Sequence, residues 1–231
     1  MLISNDMFAH GGSAFIVSQP ALRAVVDYYS IHKTEIEKFT DGHWTGDCVL
    51  GKTFNDAGIP LTNAWPVFQV DYPGLVQCTR SDSRPNAENL RLWCGTPVSY
   101  HHMSATMVEE MWGFEQDWIA HNNAATDTLR HKDIFATLIM PQMMSPREDW
   151  DNLSDTAQEG TFHSVEECRL RCLANPECRQ YSFHHKDHLC RTNVDPRLGR
   201  AGEGVSSGWL EERIKEFEQT MTPCGDSSWP Y

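Results

Sequence analysis

Residues 162–190 read F-H-S-V-E-E-C-R-L-R-C-L-A-N-P-E-C-R-Q-Y-S-F-H-H-K-D-H-L-C and gather four cysteines, Cys168, Cys172, Cys178 and Cys190. Their spacings are C-x3-C, C-x5-C and C-x11-C, without the paired C-x2-C knuckles of a structural zinc ribbon. Disulfides formed in an oxidising compartment are therefore preferred over zinc. Four cysteines allow three pairings, and spacing leaves all of them open. So short a window buries little surface, which gives crosslinks a physical purpose. The histidines inside it, His184, His185 and His188, can chelate zinc, but on a small module they are read as solvated.

Working outward, P-R-E-D-W-D-N-L-S-D-T-A-Q-E-G at 146–160 loses apolar periodicity and reads as a linker. The chain then divides into residues 1–145, the linker, the cysteine module at 161–213 and a tail at 214–231. Asp149 and Asp151 form a D-W-D that resembles a cation-binding pair. No apolar strand precedes it to fix its geometry, so it is read as loop or cap chemistry. Basic, Gly-containing turns around Arg197 to Gly208 lead to an expected helix from Trp209 to Met221.

Before the linker, F-A-H-G-G-S-A-F-I-V-S (residues 8–18) suggests a Gly turn entering a short strand, after which Ser18 and Pro20 can start a helix. A second unit near His43 carries apolar Cys48, Val49, Leu50 and Phe54. W-P-V-F-Q-V-D-Y-P-G, opened by Trp65, is an extended, Pro-bounded stretch. A polar loop from Cys78 to Asn89 is flanked by Cys78 and Cys94, which can staple it. T-P-V-S-Y-H-H reads as a strand. The helix after it, from about Ser104 to Ala120 or starting instead at the capping-box spacing of Thr106 and Glu109, carries Met107, Met111, Phe114 and Trp118 on one face, as a core stripe would.

A net charge of -13 excludes a sequence-independent grip on nucleic acid, which needs clustered Lys and Arg. With 40% hydrophobic residues the chain is an ordinary globular protein rather than a disordered one. No run approaches the roughly 20 apolar residues needed to cross a bilayer. Residues 1–20 lack the pattern of a signal peptide. Secretory-type cysteines without an entry signal are reconciled by a missing N-terminal segment.

Four residues can carry chemistry. Asp47, where a loop feeds a helix, is either a cap or an exposed carboxylate able to act as a general base. His101 and His102 follow a strand-like run, so alternation points them to opposite faces, one inward toward a cation and the other to solvent. Trp65 is a candidate for a substrate surface, since aromatic faces line sugar sites as well as cores.

F-A-H-G-G-S-A-F-I-V-S-Q-P-A-L, G-D-C-V-L-G-K and P-V-S-Y-H-H-M together resemble three ordered blocks of the Fringe and core-1 β1,3-galactosyltransferase family, over roughly residues 8 to 120. The resemblance implies an α/β fold: the C-terminal part of a GT-A, Rossmann-like domain. It implies Gly11 and Gly12 as the substrate-side turn, Asp47 as general base and His101 as ligand to Mn2+. Gly46 stands where that family carries a further acidic residue. The implied reaction is inverting transfer of a hexose, galactose in β1,3 linkage, from a UDP-sugar to a glycan or glycoprotein acceptor. The family's D-x-D lies upstream, so this chain is expected to be N-terminally incomplete and inactive alone. The full-length form is expected to be a type II membrane protein of the Golgi or secretory lumen, held by an N-terminal anchor.

The cysteine window resembles a PAN/apple module, a small disulfide-rich α+β unit. That likeness implies nested bridges, Cys168 to Cys190 and Cys172 to Cys178, and a lumenal glycoprotein partner. The alternative function is a non-enzymatic carbohydrate- or protein-binding protein acting through this module.

Overall fold

The computed structural model describes residues 11–43, 45–62, 64–76, 92–123, 127–220 and 224. Gly11–Ser13 form a 3-10 turn, and the following residues run without a strand to Ser18. The apolar stretch read there as a strand is open to solvent, with Ile16 78% exposed. Ser18 caps α1 (Gln19–Asp41) by accepting from the Ala21 amide, and Pro20 sits in the first turn, where a missing N–H costs nothing. Helix α2 (Gly46–Asp56) buries Cys48 and Phe54 and packs on α1.

Strands β1 (Phe68–Gln69) and β2 (Ser99–Tyr100) form a short parallel pair, with Phe68 opposite Ser99 and Gln69 opposite Tyr100. Ser104 caps α3 (Ala105–His121) through the Met107 amide. The Met and aromatic stripe of α3 is its half-buried face, yet no residue of this helix is buried. It is thus not the core element its pattern suggests. A continuous helical run follows: α4 (His131–Ile134), a π turn at Phe135–Ile139 and a 3-10 turn at Met140–Met143.

The C-terminal part is a sheet with a helix across it. Strands β4 (Thr156–Ala157), β6 (Leu189–Asn193), β5 (Gln180–His184) and β8 (Val205–Trp209) lie antiparallel in that order, while β3 (Trp150–Asp151) pairs with β7 (Arg200–Ala201). Helix α5 (Val165–Ala174), capped by Ser164, packs on β5. Bridges Cys168–Cys190 and Cys172–Cys178 tie this helix to the sheet and to its own exit. All four sulfurs are therefore used in crosslinks, not zinc.

Residues 146–160 are not a free linker. Arg147 and Ser207 exchange backbone hydrogen bonds, Asp151 pairs with Arg200, and Thr156 pairs with Thr192. Asn152 is fully buried: its side-chain amide donates to the Tyr181 carbonyl at 3.0 Å, and its own carbonyl accepts from Gln180 at 2.8 Å. Within this polar segment Asn152 and Ser154 are buried and hydrogen-bonded, and periodicity alone does not separate such a segment from a linker.

The expected tail also belongs to the packed structure. Helix α6 (Glu211–Thr220) buries Ile214 and Phe217 against Trp93, Phe135, Ile139, Met143, Leu198 and Trp209. Cys94 is joined to Cys224, across 130 residues, rather than to Cys78, which lies outside the described residues. The two parts of the chain thus share one core and one crosslink. Among the described residues no helix is long and apolar enough to cross a membrane.

Candidate functional site

The three sequence-distant blocks meet. Asp47 stands in the first turn of α2, where the helix dipole favours a negative charge. Its Oδ2 accepts from the Gly11 amide at 3.1 Å and its Oδ1 from the Cys48 amide at 3.1 Å. These backbone donors, the Gly11 N–H foremost, hold its carboxyl below the usual carboxylate range, against a smaller opposing effect of burial. Asp47 is ionised at neutral pH, so it is able to accept a proton, and it is also the anchor of the Gly turn.

The neighbouring glycine meets the third block. A Cβ at Gly12 would overlap the His101 ring at Nε2, Cδ2 and Cε1, so only glycine lets this backbone approach. The Ser99 hydroxyl donates to the Ser13 carbonyl, and the His101 amide donates to the Gln69 carbonyl at 3.1 Å. Gly11, Gly12, Asp47 and His101 therefore form one contiguous surface at the end of the β1–β2 pair. Trp65 is half-buried and precedes a cis bond to Pro66, whose carbonyl accepts from His131 Nε2 at 3.1 Å.

His101 and His102 do not point to opposite faces. Their rings are stacked, with centroids 3.8 Å apart and planes 27° from parallel. The cause is backbone: His102 has φ 56°, in the left-handed region, which breaks strand alternation after His101. His102 Nδ1 lies 2.9 Å from Asp71 Oδ1, and the two side chains are 62% and 38% exposed. Asp71 and the stacked role of His102 were not legible in the sequence, because alternation was the available guide and the turn overrides it.

Behind the site, His131 is buried. Tyr100 donates its hydroxyl proton to His131 Nδ1 at 2.5 Å, and His131 Nε2–H donates to the Pro66 carbonyl. Burial pushes this imidazole down to about 4, so it stays neutral and structural. The Asp71 stretch is anchored from the C-terminal part: the Gly74 carbonyl accepts from the Leu198 amide at 2.9 Å and the Gly199 amide at 3.1 Å, and the Tyr72 hydroxyl donates to the Gly199 carbonyl. Burial raises the Tyr72 phenol to about 12, so it remains a donor at any physiological pH.

The residues present do not fit a complete cation site. Among the described residues no group of three His, Cys, Asp or Glu side chains gathers to hold a metal. The Nε2 edge of His101 is turned against Gly12. The Asp149 and Asp151 carboxylates are both spent on backbone amides, Asp149 Oδ1 accepting from Gly204 and Asp151 Oδ1 from Leu153, although Asp151 itself lies in β3 rather than in a loop.

Comparison with known proteins adds one firm assignment. A family model described as a PAN domain matches residues 146–200, so the disulfide-stapled unit is a PAN domain that begins where the linker was expected. Neither a curated protein nor a solved structure matches the chain.

Proposed function

We propose that this chain carries the acceptor side of an inverting glycosyltransferase of the Fringe and core-1 type, with a PAN domain built against it. The observation that carries the reading is the meeting of Gly11, Gly12, Asp47 and His101, three blocks far apart in sequence. In this reading Asp47 accepts the proton of an acceptor sugar hydroxyl as that oxygen attacks the anomeric carbon of a UDP-hexose, galactose in β1,3 linkage. The carboxylate is ionised and fixed by two backbone donors, which keeps it aimed without a further charge beside it.

The PAN domain contributes a binding surface for the glycoprotein that bears the acceptor. Three disulfides support a secretory-pathway lumen as the setting.

The test is Asp47→Asn in the protein carrying this sequence, purified from its native source and assayed with UDP-hexoses, glycan acceptors and added Mn2+. Turnover is expected to fall by roughly 10²- to 10⁴-fold, the usual contribution of a general base, with the melting temperature nearly kept. Unchanged turnover would remove Asp47 from the mechanism.

A further inference from the structure

Beside the surface formed by Gly11, Gly12, Asp47 and His101 stands an imidazole to which the reading above gives no task. His102 occupies a left-handed backbone conformation that side chains other than glycine rarely adopt. Its ring stacks on His101, which itself lies on Gly12, so it continues the site surface rather than leaving it. With Nδ1 bound to the Asp71 carboxylate, the neutral ring has its proton on Nδ1 and its lone pair on Nε2. The side chain is 62% exposed, so Nε2 is within reach of a ligand.

Asp71 is not a loose surface acid. The segment directly after it is clamped to the PAN domain by the Gly74 carbonyl and the Tyr72 hydroxyl, both bound to the backbone at Leu198 and Gly199. Gly199 has φ 83°, and a side chain there would strike the Asp151 and Asn152 backbone, so this clamp is built around a glycine.

We propose that His102, oriented by Asp71, is an acceptor-binding residue, whose Nε2 accepts a hydrogen bond from a hydroxyl of the acceptor sugar. Asp71 is its positioning residue, held in place by the PAN domain. The inference rests on the glycosyltransferase reading and adds a specificity residue to it. It also gives the PAN domain a second task, since the domain fixes the geometry of the site besides offering a surface.

The experiment is steady-state kinetics on the native-source protein with His102→Gly, His102→Gln and Asp71→Asn, varying donor and acceptor separately. Glycine suits the left-handed backbone, so His102→Gly is expected to fold at least as well as the parent. It should nevertheless raise the acceptor KM roughly tenfold, the loss of about one hydrogen bond, with kcat and donor KM within about twofold. Gln, which can still accept, should recover part of the loss. Asp71→Asn should raise the acceptor KM too, and the Asp71→Asn, His102→Gly double variant should be no worse than His102→Gly alone. An unchanged acceptor KM in a parent enzyme that transfers sugar would overturn this inference and leave the glycosyltransferase reading standing. A parent that transfers no sugar would overturn both.

Discussion

Gly12 is a residue with little freedom to change. Any side chain there enters the space of the His101 ring, so Gly12→Ala must shift that ring, the turn or the β2 exit. A loss of about 1–3 kcal/mol is expected, the usual cost of overpacking, together with loss of transfer activity. Denaturant melts of the purified variant check the first and turnover the second. His131 makes a pH-dependent contribution whose sign is definite. Its folded value of about 4 lies below the ordinary 6.5, so the unfolded chain takes up a proton first as pH falls. The stability is complete above pH 6.5 and is lost as pH drops toward 4, by about 3 kcal/mol in all. Urea unfolding at pH 7 and pH 4.5 should show this slope in the parent. In His131→Gln the slope should be reduced by that amount, though the variant starts less stable. Asp47 and His101 were legible as candidates because their blocks were; Asp71 was not, since its contact with His102 depends on the fold of a neighbouring turn.

At the scale of elements, capping signals were readable and solvent exposure was not. Ser18 starts α1 as its sequence suggests, because a Ser side chain that accepts from the first turn is a local event, and Ser104, not Thr106, caps α3. The apolar run before Ser18 looked like a strand, but a strand exists only by pairing, which local sequence does not supply. The polar run at 146–160 looked like a linker, yet Asn152 and Ser154 are buried partners of Gln180. The nested bridges of the PAN domain were implied by resemblance and are present, whereas the partner of Cys94 lay 130 residues away, beyond any local signal. That long bridge makes a prediction for α6. In Cys224→Ser the stability should fall by about 2–5 kcal/mol, since the crosslink closes a very long loop in the unfolded chain. The α6 amides should exchange faster by hydrogen–deuterium exchange mass spectrometry. A variant with unchanged melting and unchanged α6 protection would show that the Trp93–Phe217 packing suffices alone.

For the whole molecule, the PAN domain and the segment before it are mutually supporting. Phe217 packs edge to face on both Trp93 and Phe135 across the two parts, and the clamp at Gly74 and Gly199 sets the stretch that carries Asp71. Under the proposed function, this arrangement would link the PAN domain to the site for sugar transfer, so that acceptor recognition and acceptor chemistry share one framework. The most direct measurement is the stereochemistry of the product. The native-source protein, given UDP-galactose and a glycan acceptor, is expected to release UDP and yield a β-linked galactoside, read from the anomeric proton coupling in the NMR spectrum of the product. An α-linked product, or no transfer to any acceptor from any UDP-hexose, would contradict the account.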